Sequence, residues 1–301
     1  HLVGGCMKTI GFVRGKKSYL PEIEAYKDYF KEYAFVEVCS INELSIESVD
    51  LIWMFMGISL KKYDLPIIHE YASMSLPPFA QCKDYIKSKI NVRPILRIFL
   101  NENIKTNFKF NDEVKYCYRD MGVDDIFFYN ISKKIQYDCV YVGSMSKDRE
   151  LHFLLDKFKK NPDRSILMVG EPPADLYIDY KKYKNIIFTG QIHYRDVPQY
   201  ITQARYAVNY MPDKFPFNIQ TSTKLLEYVA LGMDIITTSY KWVDEFEKVR
   251  GMKFFHISKD CSELDFDKID KYNFYTKNIK DLSWSNILSR SGIQSRLKQI
   301  I

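Results

Sequence analysis

Thr221-Ser222-Thr223 followed by Lys224, Leu225, Leu226, Glu227, Tyr228, Val229, Ala230, Leu231 and Gly232 is the stretch best equipped for chemistry. Hydroxyl residues ahead of an apolar-periodic run mark a helix start, where a side-chain oxygen can satisfy free backbone N–H groups. Lys224 and Glu227 share one face of that helix. Leu225, Leu226, Val229 and Ala230 supply its buried side, Gly232 ends it, and Met233 to Thr238 follows as a short strand. A cation, free N–H groups and a carboxylate at one helix start suit a phosphorylated ligand with a sugar hydroxyl nearby. The pattern equally fits an ordinary capped helix whose Lys and Glu are solvated.

Other residues invite a chemical reading. His69 and Glu70 are an adjacent titratable pair closing the apolar run Leu65–Tyr71. Either could deprotonate a hydroxyl, or the two could simply satisfy each other. Arg149 opens a helical pattern running to Lys159, where a cation opposes the helix dipole unless an anion sits beside it. His193 and Tyr194 follow the strand ending at Gly190, bordering a ligand pocket or lying in a plain loop. Asp265-Phe266-Asp267 spells a metal-binding triplet but lies in a polar segment rather than after a buried strand, so it is discounted. Gly11 and Gly15 are wrongly spaced for a dinucleotide fingerprint, which argues against a nicotinamide enzyme.

The elements that must position these residues alternate strand and helix. In the first half, strands are expected at 8–15, 35–39, 49–57 and 65–71, with a helix from Pro21 to Glu32. Weaker strand candidates lie at 94–99 and 125–129. A second, more regular series has strands at 138–144, 165–170, 185–190, 206–210 and 235–238, with helices at 149–159, 197–204 and from Thr223. Such alternation implies right-handed βαβ units and two Rossmann-like domains with parallel sheets. The first spans 7–133 and the second 137–283, joined by the polar stretch Asn130–Gln136. Ligands of parallel sheets bind beyond the carboxyl ends of the strands, where Gly143-Ser144, Gly190, the Thr221 loop and His69-Glu70 fall. Two such domains facing each other would leave a central cleft. The segment 284–301 sets Trp284, Ile287, Leu288, Ile293, Leu297 and Ile300 among basic residues. It reads as a helix packed across both domains, or as a membrane-surface helix.

Composition narrows the rest. With 301 residues, 46% hydrophobic and 27% charged, the chain is a globular protein long enough for two domains. No run approaches the ~20 apolar residues that cross a bilayer. His1–Cys6 has neither a basic start nor an apolar centre, and reads as an added extension ahead of Met7 rather than a signal peptide. Six cysteines without CxxC spacing suit reduced thiols in a cytoplasmic protein, and five histidines without ligand spacing suggest no structural metal. A net charge of +6, with bases and acids interleaved, fits a phosphate ligand or an anionic lipid surface and not nucleic acid.

Val140-Tyr141-Val142-Gly143-Ser144 with Arg149, Ile187-Phe188-Thr189-Gly190, and Thr223 to Gly232 together resemble the C-terminal domain of a GT-B fold glycosyltransferase of the bacterial polysaccharide type, group 1. The likeness covers about residues 138–240, and extends faintly to Ile67–Tyr71. It implies transfer of a sugar from a nucleotide donor, UDP-linked, to a saccharide or lipid-linked saccharide in cell-surface polysaccharide synthesis. It implies that Glu227 holds the ribose hydroxyls, and that Arg149 and Lys224 face the diphosphate. Gly143, Ser144, Gly190, Tyr194 and Thr223 would complete the donor site. His69 and Glu70 are then the catalytic candidates toward the acceptor. Fixed cations and dipoles can stabilise a departing diphosphate, so no cofactor or metal is expected. The resemblance also implies work at the inner face of the cytoplasmic membrane. The retaining subgroup's first Glu, eight residues before Glu227, is here Ile219, flanked by Asn218 and Gln220, which leaves retention or inversion open. The rival readings are a sugar-nucleotide epimerase or hydrolase, and a non-catalytic nucleotide-sugar-binding module.

Overall fold

The computed structural model of the protein describes residues 7–15, 20–75 and 78–301, so the opening extension lies outside it. The chain divides into two compact units. One runs to Gly122 and takes back Asp281–Ile301; the other is Val123–Lys280.

The first unit is built from β1 (Thr9–Val13), α1 (Pro21–Tyr29), β2 (Ala34–Val38), β3 (Leu51–Phe55), β4 (Ile67–Tyr71), α2 (Ala80–Ile90), β5 (Leu96–Phe99), α3 (Glu102–Phe108) and β6 (Lys115–Tyr118). Its strands form one parallel sheet in the order β2-β1-β3-β4-β5-β6. The middle strands are apolar on both faces because helices cover both, which is why Leu51 to Met54 read as a continuous hydrophobic run. Strand β6 eluded the sequence reading. It is an edge strand in which only Cys117 is buried, so neither alternation nor an apolar run marks it.

The second unit comprises β7 (Tyr137–Val142), α4 (His152–Lys160), β8 (Ile166–Val169), α5 (Ala174–Tyr180), β9 (Ile186–Phe188), α6 (Val197–Ile201), β10 (Ala204–Asn209), α7 (Thr223–Ala230), β11 (Asp234–Thr238), α8 (Lys241–Arg250), β12 (Phe255–Ile257) and α9 (Phe266–Ile269). Its parallel order is β12-β11-β10-β7-β8-β9. The chain steps outward from β7 through β8 to β9, then crosses back to β10 and continues outward on the other side. Strands β7 and β10 therefore flank the point where the winding reverses, and a ligand belongs beyond their carboxyl ends.

Three expectations change. Residues 125–129 are no strand: the Asp124 carboxylate accepts the Ile126 N–H at 3.0 Å and turns Asp125–Phe128 into a 3-10 helix. The first domain ends at Gly122 rather than 133, because Phe127 packs on Tyr194 of the second unit, with ring centroids 5.6 Å apart. The tail is two helices, α10 (Trp284–Ser291) and α11 (Ile293–Ile300), broken at Gly292, whose φ is +73°. Its apolar side is not spread on a surface. Trp284, Ile287, Leu288, Ile293 and Leu297 complete the core of the first unit with Phe12, Trp53 and Ile98. Burying a large apolar side chain contributes about 1.5–3 kcal/mol, so this face is committed to folding. Gly122 is demanded by the same packing, since a Cβ there would lie 2.3 Å from the Trp284 ring.

Candidate functional site

The carboxyl ends of β7 and β10 gather most of the residues expected to bind a donor. Gly143 follows β7 directly, with φ +117°, a conformation that favours glycine. Its backbone is approached so closely by Gly170 that a Cβ on the latter would sit 2.7 Å from the Gly143 carbonyl oxygen. Gly170 in turn bridges to Gly190. Ser144 is exposed, its carbonyl accepting the Tyr141 hydroxyl at 2.8 Å and its Oγ donating to Ser146 Oγ at 3.1 Å. Arg149 closes a 3-10 turn, Lys147–Arg149, rather than opening α4. Its guanidinium lies 4.2 Å from the Phe217 ring centroid and contacts the Met211 sulfur at 2.6 Å. A planar, weakly hydrated cation held against an aromatic ring is well placed to meet a phosphate.

Helix α7 enters this end of the sheet with its first turn. Ser222 is the N-cap residue, yet its hydroxyl makes no capping bond and instead donates to Asn209 Oδ1 at 3.0 Å. The Asn209 amide donates to Thr237 Oγ1 and Tyr240 OH, each at 2.9 Å. This buried hydroxyl–amide knot ties the helix start to β10 and β11, where the sequence suggested a side-chain cap. The N–H groups of Thr223, Lys224 and Leu225 precede the first intrahelical bond, Leu226 N–H to Ser222 carbonyl, and carry the positive end of the dipole.

Glu227 is buried and Lys224 half-buried. The Lys224 ammonium sits 4.1 Å from the Tyr141 ring centroid. Burial and the neighbouring Arg149 hold its pKa well below that of an ordinary lysine. Glu227 is only 5% exposed and accepts the Tyr194 hydroxyl at 2.9 Å. Burial pushes its carboxyl up to about 8, against the hydrogen bond from Tyr194 and the attraction of Lys224. A half-buried cation of low pKa beside a buried carboxyl of high pKa is costly for folding alone, and such groups cluster where ligands bind. Tyr141, Asn209 and Phe217 were missed as site residues. Tyr141 and Asn209 belong to strands read as apolar, and only the winding order brings them under α7.

The pair His69-Glu70 is corrected. Neighbours in a strand point to opposite faces, so the two do not interact. Glu70 faces α1, and both its oxygens are occupied: Tyr26 OH donates at 3.0 and 3.1 Å, Trp53 Nε1 at 2.9 Å, and Arg119 Nη2 forms a buried ion pair. Arg119 Nη2 also reaches Glu22 at 3.1 Å. His69 is fully buried, beside the Tyr71 hydroxyl, 3.4 Å from its Nδ1, and opposite Arg97 on β5. Burial, helped by Arg97, depresses its pKa to about 3, far from the neutral range a base requires. Neither residue is placed to take a proton from an acceptor. Glu70→Ala is therefore expected to destabilise the protein by about 3–5 kcal/mol, by stranding Arg119, and to leave UDP affinity near wild type. Denaturant unfolding and titration calorimetry check both halves.

Two further motifs resolve as local structure. Asp265 of the acidic triplet caps α9, its Oδ1 accepting the Asp267 N–H at 3.0 Å. His193 Nδ1 accepts the Arg195 N–H at 3.3 Å and begins the turn carrying Tyr194.

Residues 136–262, which hold β7 to β12 and all of these donor-side groups, match the family model of Glycosyl transferases group 1. The second unit carries a group 1 glycosyltransferase domain. Among solved structures, HepE of Anabaena, in complex with UDP and glucose, superposes with a TM-score of 0.64 at 14% identity, covering 98% of this chain and 96% of its own. AviGT4, a glycosyltransferase involved in avilamycin A biosynthesis, gives 0.62 at 10% identity over 96% and 97%. Sucrose-phosphate synthase of Thermosynechococcus elongatus gives 0.62 at 11% over 97% and 94%. No curated protein matches the chain by sequence. The two parallel α/β units have the GT-B glycosyltransferase fold.

Proposed function

We propose that this GT-B protein transfers a sugar from a UDP-linked donor to a saccharide or lipid-linked saccharide acceptor of cell-surface polysaccharide assembly. The observation that carries the donor half is the convergence of Arg149, Lys224 and the first turn of α7 at the reversal of the second sheet. Glu227 lies one helical turn beyond them. In transfer, the acceptor hydroxyl oxygen bonds to the anomeric carbon and its proton passes to the departing diphosphate or to solvent, while the anomeric C–O bond to the β-phosphate breaks and the diphosphate leaves with the bonding electrons. Arg149, Lys224 and the N–H groups of the α7 start offset that charge, in a site where few dipoles must reorient. Glu227, ionised on contact with ligand and steadied by Tyr194, accepts from the ribose hydroxyls. Gly143 lets the backbone come close to the phosphates. UDP and glucose bound to HepE, a protein of the same fold, support the choice of donor.

We further propose that the reaction needs no divalent metal, since these protein cations meet the leaving group. A thermal-shift screen of nucleoside diphosphates and their sugars tests the donor, because a ligand of the native state raises its melting temperature. UDP and a UDP-sugar should give the largest shifts, and turnover with added acceptor should persist in EDTA. Donor consumption that is independent of acceptor would instead indicate a hydrolase or epimerase. Binding with no turnover would indicate a non-catalytic module. Activity lost in EDTA and restored by magnesium or manganese would overturn the metal-free scheme.

A further inference from the structure

Helix α2 of the first unit is amphipathic the wrong way round. Its buried residues are Ala80 and Asp84, while Phe79 at its N-cap is 79% exposed, Ile86 47% and Ile90 42%. At 3.6 residues per turn, positions 79, 86 and 90 fall within about 40° of one another, so the three form one outward row along the helix. Lys83 and Lys87 flank the row on one side and Lys89 on the other. Asp84, the helix's only acid, points inward and accepts from Ser75 N–H at 3.1 Å and Asn107 Nδ2 at 2.8 Å. The Lys87 ammonium donates to Ser75 Oγ at 2.8 Å, and that of Lys89 lies 5.4 Å from the Tyr85 ring centroid.

A loop extends this surface. Asn91, just past α2, accepts the Ser59 N–H at 2.9 Å and donates to the Gly57 carbonyl at 3.2 Å, fastening residues 57–59 to the helix end. Ile58 and Leu60 on that loop are 62% and 66% exposed and are followed by exposed Lys61 and Lys62. Asp64 is the first acid after them.

We infer that α2 and the 57–62 loop seat the protein on an anionic membrane surface, Phe79, Ile86, Ile90, Ile58 and Leu60 entering the interface and Lys61, Lys62, Lys83 and Lys89 meeting the headgroups. Apolar side chains ringed by lysine ammonium groups match the layered chemistry of an acidic bilayer face: hydrocarbon below, negative charge at its edge. Lysine stems can lie along the apolar row while their heads stay in the charged layer. A second protein surface would need its own acids between apolar knobs, whereas a bilayer containing phosphatidylglycerol supplies both in any orientation. This assignment does not depend on the transferase reading, and it moves the membrane contact from the tail, whose apolar side is core, to α2.

The test is co-sedimentation of the full chain, without nucleotide, with vesicles of phosphatidylcholine alone or mixed with phosphatidylglycerol. The protein should sediment with the mixed vesicles, weakly with phosphatidylcholine, and less as salt rises. F79S/I86S/I90S should lower the vesicle affinity about tenfold or more, with the UDP-induced thermal shift unchanged. Should that variant fail to fold, K83E/K89E, which leaves the apolar row intact, should lower the affinity comparably. Failure of the native chain to bind mixed vesicles, or unchanged binding by the folded variants, overturns the inference. So does a self-association in ultracentrifugation that F79S/I86S/I90S abolishes while vesicle binding persists.

Discussion

Lys224→Met should lower sugar transfer by about 10²–10³-fold, the range seen when a preorganised charge-stabilising group is removed, and should abolish a proton uptake that accompanies UDP binding. The second effect follows from where the ammonium sits. Desolvation beside the Tyr141 ring, together with repulsion by Arg149, lowers the amine's affinity for its proton in the free protein. A diphosphate brings negative charge to the same place and raises the amine's affinity for a proton. At pH values around the amine's lowered pKa, binding UDP must then draw a proton from the buffer. Calorimetry in buffers of different ionisation enthalpy counts it. Because ionisation of Glu227 on ribose binding would release a proton, the count is cleanest in the Glu227→Gln background. Met keeps most of the volume and removes only the charge. If Lys224→Met turns over normally, or binds UDP with the proton count of the parent, the diphosphate does not lie on Lys224.

How far this site was legible follows from what each residue owes to local pattern. Helix α7 was readable because Leu225, Leu226 and Val229 mark its buried side at helical spacing, and they are buried in the structure. That Lys224 and Glu227 share a face was equally readable. That this face is itself enclosed was not, because Tyr141 and Tyr194 come from elements more than thirty residues away. Arg149 was found for a reason the structure changes. The expected clash with a helix dipole does not arise, since α4 begins only at His152, and Phe217 and Met211 hold the guanidinium instead. His69-Glu70 misled because adjacency in sequence was read as adjacency in space, which a strand forbids. Helix α2 was invisible for the opposite reason. Its apolar row is regular, but periodicity says nothing of which side faces water, and here the side facing inward carries Asp84.

Ser222 illustrates how the proposed donor site is built at some cost to local stability. A serine at the N-cap ordinarily satisfies one of its own helix's N–H groups, a bond worth about 1 kcal/mol. Here its hydroxyl is turned into the sheet toward Asn209 and makes no bond to the helix start. Asn209, Thr237 and Tyr240 anchor the turn in compensation. The same logic applies to Glu227 on the proposed reading, in which its burial serves binding rather than folding.

Glu227→Gln is accordingly expected to weaken UDP binding and to stabilise the free protein. In the native state the carboxyl keeps its proton up to a pH of about 8, whereas in the unfolded chain it ionises near 4.5. Between those values the unfolded state binds fewer protons, so the stability of the parent falls as pH rises and levels off above the native pKa. Glutamine does not titrate and can still accept from Tyr194. The two proteins should therefore melt together near pH 5, and the variant should melt higher by pH 8, by on the order of 5 °C or more. Binding moves the other way. A ribose hydroxyl loses a charged acceptor, a change of about 1.5–3 kcal/mol or roughly 10- to 150-fold in affinity. Thermal melts at the two pH values and calorimetry with UDP read both effects. Unchanged UDP affinity would remove Glu227 from the donor site, and a variant less stable at pH 8 than at pH 5 relative to the parent would mean that the carboxylate, not its neutral form, is what the fold holds.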